Sequence, residues 1–589
     1  MTVSPESYLC TGNHSCCSTL LINFSPKNYS ESTKYMMETI EVEEYFGTKV
    51  PECYGEDDPI LCPQADNRCA PDPRGMGVVF FEKMQEYCDN VAQIDPETGD
   101  QLTHGEVLLR SVRVAQELQN RGVTTDDVVV LCTYNHMDSC LPFLASLYLG
   151  VCVSSLDPTL STSDSTYLLK LVAPKFVFCG VESEQMMETC LAEAGINNAQ
   201  IIVFGGTDRN VPFEEFLRSS GSEEEFEPKP VADIFDTAVI FFSSGTTGLP
   251  KGICTTHYGL LAQNAYLGFH VDARVCLYFT SLYWISGVML LTMTILFGGT
   301  RVVCRKFDET KTMADVEKYK VTLIFLAPTY TYKLTQDPNS CKYDTSSLAC
   351  VIVGGGPVGA EQMNKLRRLL PHSVVNNMFG MTEAAGLVTM FNQVTELDLL
   401  RAKPTSSGRP VPGICYKIVD PETEKVLGPN QRGELRVKSK CFMNGYQNKP
   451  EEYKNAWDSD GYLHTGDIAY YDEDYCFYIV DRIKDLLKYQ SWHVVPAEIE
   501  SIILTHPDVK AAVVVGLPDE VDGDLPLGVI VLKPDVTVTE EDILEFVNER
   551  VSDRKKLRGG VKFVESIPLT PSGKLRRRDV RDWVINGLV

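Results

Sequence analysis

Short runs of β-branched and aromatic residues recur along the middle of this chain, each followed by a segment with helical periodicity. The strand-like runs are "VVVLC" (Val128 to Cys132), "KFVFC", "QIIVF", "RVVC", "VTLIFLAP" and "CVIVGGGP", and "HGEVLLRSVRVAQELQNRG" (His104 to Gly122) typifies the helical ones. Strand and helix in alternation predict mostly parallel sheets covered by helices, so the expected fold class is α/β.

Changes of pattern divide the chain. Residues 1–70 are rich in Ser, Asn and Cys with little periodicity, which predicts an irregular arm. Around 408–480 the pattern shifts to shorter strands and turns, as in "GELRVKSKCFMNGY", which suggests a small β-rich unit. From about Lys484, the runs "AAVVVGLP" and "LGVIVLKP" are interleaved with the helical "PAEIESIILTHPDV" and "EEDILEFVNERVS". The expected domains are therefore an arm over 1–70, a large domain over 71–481 with its β-rich subdomain at about 408–480, and a small α+β lid over 482–589. The acidic connector "GSEEEFEPKP" (Gly221 to Pro230) reads as solvated surface.

Charge narrows the partners. The 589 residues carry 54 Lys+Arg against 80 Asp+Glu, a formal charge of -26, which disfavours duplex nucleic acid or an anionic membrane as the main partner. An anionic ligand must then be held by local cations. The apolar stretch Tyr283 to Gly299 is broken by Ser, Thr and Gly and is short for a membrane span, so a buried helix is expected. The 20 cysteines show no Cys-x-x-Cys spacing, which gives a zinc site or redox pair little support; most are expected to be small buried hydrophobes. Cys10, Cys16, Cys17, Cys53, Cys62 and Cys69 share the arm with sequons at Asn13, Asn23 and Asn28, a pairing that hints at secretion. Met1 is not followed by a basic region and an apolar core, and the C-terminus lacks a Ser-Lys-Leu address, so a cytoplasmic location is expected.

The stretch "FFSSGTTGLPKGICTTHYG" (Phe241 to Gly259) gathers small hydroxyl side chains and glycines around Lys251, directly behind the buried-strand pattern "TAVIFF". Glycines let the backbone approach a ligand and turn its N–H groups inward, hydroxyls add donors, and lysine adds a point charge. A polyphosphate is the natural guest. It is not a Walker A loop, because Lys251 follows Pro250 and precedes Gly252.

Downstream come "GGGPVGAEQ" (Gly354 to Gln362), "NNMFGMTEAAG" (Asn376 to Gly386), "DGYLHTGDIAYYDEDYCFYIVDRIKDLLKY" (Asp460 to Tyr489) and "PLTPSGKLRRRDVR" (Pro568 to Arg581). In this order the set resembles the AMP-forming adenylate enzyme superfamily: acyl-CoA synthetases, 4-coumarate-CoA ligases, beetle-type luciferases and peptide-synthetase adenylation domains. The resemblance runs from about residue 75 to the end. It implies a large N-terminal domain of two helix-covered sheets with a β-rich subdomain, a mobile C-terminal lid, and ATP, Mg2+ and CoA as cofactors.

It also implies roles. Ser243, Ser244, Gly245, Thr246, Thr247, Gly248 and Lys251 would cradle the β- and γ-phosphates. Phe379 would offer a flat face to adenine, Thr382 a donor to the α-phosphate, and Glu383 a hard oxygen for Mg2+. Asp467 and Arg482 would hold the ribose hydroxyls. Gly355, Gly356, Pro357, Gly380, Met381, Ile479, Lys488, Ser491 and Trp492 would complete the cofactor side, and Gln263, Trp284, Ile285, Ser286, Val353, Gly354 and Met378 the acyl pocket. Lys574 would come from the lid onto the α-phosphate and carboxylate oxygens, where charge develops during attack. The lid would then turn about Lys484 for thiol transfer.

Two departures from the family pattern stand out. Many relatives place histidine where this chain has Trp284, which is bulky and cannot serve as a base. Glycine is common where it has Ser491, and glutamine where it has His493. The resemblance thus implies ATP-dependent activation of a hydrophobic carboxylic acid, fatty or aromatic, followed by transfer to CoA. The alternatives are a luciferase-like monooxygenase oxidising an enzyme-bound luciferyl-adenylate, and a degenerate nucleotide-binding protein on the same fold. The partner is a small carboxylic acid, with no nucleic acid and no transmembrane segment.

Overall fold

Every strand-like run named above is a strand in the computed structural model of the chain, which describes residues 60–65, 70–242, 250–490, 492–519, 521–569 and 575–588. The runs sort into two large sheets. In the first, Thr237–Phe242, Cys152–Leu156, Val128–Cys132, Phe176–Gly180 and Gln200–Phe204 lie side by side in parallel. Thr237–Phe242 also forms a hairpin with Gly252–Thr256, and Gly445–Tyr446 pairs outside it. In the second, Val374–Met381, Cys350–Gly354, Leu323–Leu326, Val275–Tyr278 and Thr300–Val303 are parallel neighbours.

Successive residues of these strands enter different cores, which is why the runs are apolar without a break. Val129 and Leu131 pack with Leu144 and Ala115 from helices on one face, while Val130 and Cys132 pack with Leu168 and Met187 on the other. Leu323 and Ile324 part in the same way in the second sheet. Both faces are therefore covered. The helix His104–Asn120 opens with a capping box, in which Thr103 accepts from the Glu106 N–H and Glu106 accepts from the Thr103 N–H. Its buried residues Val107, Ser111, Ala115 and Leu118 recur at helical spacing.

Five antiparallel strands, among them Gly433–Lys438, Leu463–Tyr471 and Phe477–Arg482, form the β-rich sheet. A single turn, Ile483–Asp485, leads on to a small C-terminal sheet built around Val509–Asp519 and Gly523–Leu532. The helices Pro496–Ile503 and Glu540–Asn548 share its core.

Two segments are held more firmly than their composition suggests. At the end of the arm, Leu61 is fully buried and bridges to Tyr416, and Cys62 is disulfide-bonded to Cys415 across 353 residues. Pairing at that separation leaves no local spacing to read. The acidic connector is also moored rather than merely solvated, because Glu223 pairs with Arg113 at 2.8 Å and Gln116 reaches Ser222. Among the described residues nine of the free thiols are buried, as expected of small hydrophobes. The apolar stretch forms the buried helix Ile285–Leu296, and no described helix is long and apolar enough to cross a membrane.

Candidate active site

The carboxyl ends of several strands open onto one cavity of about 650 Å³. Phe241 and Phe242 end one strand, Gly354 ends another, Ala327 follows a third, and Met378 to Met381 close the long strand Val374–Met381. Ligands gather at such ends in parallel sheets, because side chains and loops converge there without filling the space.

The cavity has two characters. Leu267, Met289, Leu290, Ile352, Met378 and Leu387 line one part and share a single hydrophobic core. Lys251, Glu383, Lys449, Glu452, Arg482 and Lys484 line another. Lys251 Nζ lies 2.8 Å from Glu452 and 4.6 Å from the centre of the Tyr446 ring, whose hydroxyl donates to Glu383 at 3.4 Å. Burial first, then the Glu383 charge, raises the Tyr446 phenol well above its ordinary range. Loss of hydration first, then the charges of Arg482 and Lys251, lowers Lys484.

The turn Thr382–Ala384 touches both: Glu383 meets Tyr446 on the charged side, and Gly386, two residues past the turn, lies against Met289 on the apolar side. The turn is one residue triplet, Met381 holds the cap position without a side-chain bond, and Ala385 has φ 58°. Gly386 follows with φ +132°, and a Cβ there would meet Met289 Sδ at 2.4 Å. Glycine is needed on both counts. The Glu383 carbonyl accepts from the Met443 N–H at 2.9 Å, which ties the turn to the segment leading into Gly445–Tyr446.

Asp467 and Arg482 stand directly opposite each other in the antiparallel pair, with Arg482 Nε 3.3 Å from the buried Asp467 carboxylate. Next to them, Asp481 accepts from the Ala497 N–H at the start of the C-terminal helix Pro496–Ile503. Burial pushes the Asp481 carboxyl up to about 6, against the pull of Arg577.

Of the residues singled out from sequence, Lys251, Trp284, Ile285, Ser286, Gly354, Gly355, Met378, Phe379, Gly380, Met381, Thr382, Glu383, Arg482 and Lys484 line this cavity together. Asp467 stands behind Arg482. Gly356 and Pro357 are exposed just past the rim, and Ile479 lies two positions before Asp481 on the same strand. Lys488 is exposed on the strand Leu487–Tyr489, and its N–H donates to Asp524. Trp492 opens the strand Trp492–Val494. Ser243, Ser244, Gly245, Thr246, Thr247, Gly248, Ser491 and Lys574 lie outside the described residues.

Two pocket assignments are displaced. Val353 is fully buried in the core on the far face of its strand, and its neighbours Ile352 and Gly354 face the cavity. Gln263 is buried beneath the turn, its amide donating to the Ala384 carbonyl at 3.4 Å, so it supports the turn from below. Period-two alternation would have identified Ile352. Met289, Tyr446, Lys449 and Glu452 had no local signal, since contacts between distant segments bring them here.

The donor set suits Mg2+ as a shared ligand. Glu383 supplies one hard oxygen at the charged end, and among the described residues no group of three or more His, Cys, Asp or Glu is placed to hold a metal. Mg2+ commonly takes one or two carboxylates and fills its remaining positions with phosphate oxygens and water.

Comparison with known proteins gives concordant results. Residues 80–447 match the family model for AMP-binding enzymes, and residues 498–574 match that for the AMP-binding enzyme C-terminal domain. Luciferin 4-monooxygenase of Luciola mingrelica is 32% identical over 526 residues, covering 86% of this chain and 94% of the relative. 4-Coumarate–CoA ligase 2 of Petroselinum crispum is 32% identical over 518 residues, covering 86% and 93%. The solved luciferase-like enzyme of the nonluminescent mealworm Zophobas morio is 42% identical, with a TM-score of 0.69 over 72% of this chain and 99% of that one.

Proposed function

The chain belongs to the AMP-binding enzyme family, within the adenylate-forming superfamily, and from that premise we propose that it activates a hydrophobic carboxylic acid, fatty or aromatic, with ATP and passes the acyl group to CoA. The observation that carries this reading is the division of one cavity into an apolar part and a cationic part that meet at Thr382. An acid with an uncharged tail and a nucleotide polyphosphate fit those two parts.

In the first half-reaction a carboxylate oxygen of the acid attacks the α-phosphorus of ATP. The bond from that phosphorus to the oxygen bridging to the β-phosphorus breaks, and pyrophosphate leaves with the bridging oxygen. In the second, the CoA thiolate attacks the acyl carbon and AMP departs. Thr382 donates to the α-phosphate, Phe379 faces adenine, and the Asp467–Arg482 pair holds the ribose. Lys251 and the stretch Ser243 to Gly248 hold the β- and γ-phosphates. Glu383 would hold Mg2+, which would supply charge neutralisation at the phosphates. Lys574 stabilises the charge developing at the α-phosphate, and the lid then turns at Lys484.

A luciferin monooxygenase is the second reading, favoured by 32% identity to proteins of that name, the same figure as for the coumarate ligases. Incubating the full chain in air with ATP, Mg2+ and a panel of fatty and phenylpropanoid acids together with a luciferin, with and without CoA, separates the two. The proposal expects acid-dependent pyrophosphate release and an acyl-CoA thioester without light. Oxidised acid and photons without a thioester would replace it with the second reading, and no pyrophosphate from any acid would remove both.

A further inference from the structure

The register of the first sheet brings a second lysine to the charged end of the cavity. Lys251 directly precedes the strand Gly252–Thr256, and Gly445–Tyr446 pairs antiparallel with that strand, Tyr446 opposite Ile253. The Gln447 N–H then donates to the Gly252 carbonyl at 2.7 Å. The chain leaving Gln447 therefore emerges beside Lys251. Lys449 follows and occupies the cap position of the short helix Pro450–Lys454, whose first turn carries Glu452.

One carboxylate spans the two lysines. Glu452 Oε2 is 2.8 Å from Lys251 Nζ, and Oε1 is 2.8 Å from Lys449 Nζ. All three side chains line the cavity. Lys251 first, then Lys449, holds the Glu452 carboxyl below its ordinary range. An isolated Lys449–Glu452 pair at i,i+3 would be a surface ion pair of little consequence. This one shares its carboxylate with a lysine from a distant segment and faces the same space.

We propose that Lys449 is a second polyphosphate-binding lysine acting beside Lys251, and that Glu452 is an internal counter-ion that holds the pair in position and yields both lysines to an entering polyphosphate. The proposal rests on the reading of this cavity as an ATP site. Two like charges set side by side repel unless something neutralises them, and Glu452 does so while the phosphates are away. Phosphate oxygens carry more charge than one carboxylate and form charge-assisted bonds with each ammonium, so the exchange favours the ligand. AMP has no β- or γ-phosphate and would not draw on Lys449.

Calorimetric titration of the full chain with inorganic pyrophosphate, and separately with AMP, tests this in the wild type and in Lys449→Ala, Lys449→Gln, Glu452→Gln and the double variant Lys449→Ala/Glu452→Gln. Removing Lys449 is expected to weaken pyrophosphate binding about five-fold, and Glu452→Gln to tighten it by a similar factor. The gain from Glu452→Gln should shrink in the double variant without vanishing, because Lys449 is then gone while Lys251 is still released from the carboxylate. AMP affinity should stay within about two-fold throughout. Unchanged pyrophosphate affinity in both Lys449 variants, or an equal shift for AMP, overturns the proposal while leaving the ATP site intact. A wild-type chain that binds neither ligand overturns the ATP-site reading itself.

Discussion

Glu383→Ala is expected to lower acid-dependent pyrophosphate release by about 10²- to 10³-fold, the usual loss when one preorganised charge-stabilising group is removed from an active site. The side chain sits on the turn where the apolar and cationic parts of the cavity meet, and the Tyr446 hydroxyl is aimed at its Oε1. Its backbone carbonyl, held by the Met443 N–H, survives the substitution, so the turn should keep its shape. AMP binding is then expected to change little, since the proposed ribose and adenine contacts are at Asp467, Arg482 and Phe379. Glu383→Asp should recover part of the rate by returning a carboxylate on a shorter stem. A variant with wild-type pyrophosphate release would remove Glu383 from the mechanism, and one that loses AMP binding as well would make its role structural.

Lys574→Ala should produce a loss of the same order, about 10²- to 10³-fold, confined to the adenylation half-reaction. An ammonium delivered to the α-phosphate strengthens as charge accumulates there, which raises kcat rather than ground-state affinity. With preformed acyl-AMP and CoA, the variant should make thioester at close to the wild-type rate, because the proposed lid turn takes Lys574 out of the second half-reaction. Equal loss in both half-reactions would contradict a division of labour between two lid positions. Asp481, one residue before Arg482, accepts from the Ala497 N–H in the first turn of the C-terminal helix Pro496–Ile503, so it links the ribose-side strand to the C-terminal unit in this conformation.

Much of this fold was legible from residue order. Unbroken apolar runs marked strands covered on both faces, as Val129 and Val130 illustrate by entering different cores. The turn at Thr382 and the Asp467–Arg482 pair could be located because each sits within a short motif. What escaped was decided by contacts between distant segments. Lys449 and Glu452 reach Lys251 only through the pairing of Gly445–Tyr446 with Gly252–Thr256. Cys62 finds Cys415 through the buried Leu61–Tyr416 bridge. Val353 was mistaken for a pocket wall where its neighbour Ile352 faces the cavity, an error of one residue that reverses the face of a strand.

The central claim is that one cavity holds an acyl chain and a nucleotide end to end across Thr382. A crystal structure with a non-hydrolysable acyl-adenylate mimic tests it most directly. The account predicts adenine against Phe379, ribose hydroxyls at Asp467 beside Arg482, and the acyl tail running toward Met289 and Leu290. A mimic bound elsewhere, or one lying with its tail among Lys251, Lys449 and Lys484, would contradict it.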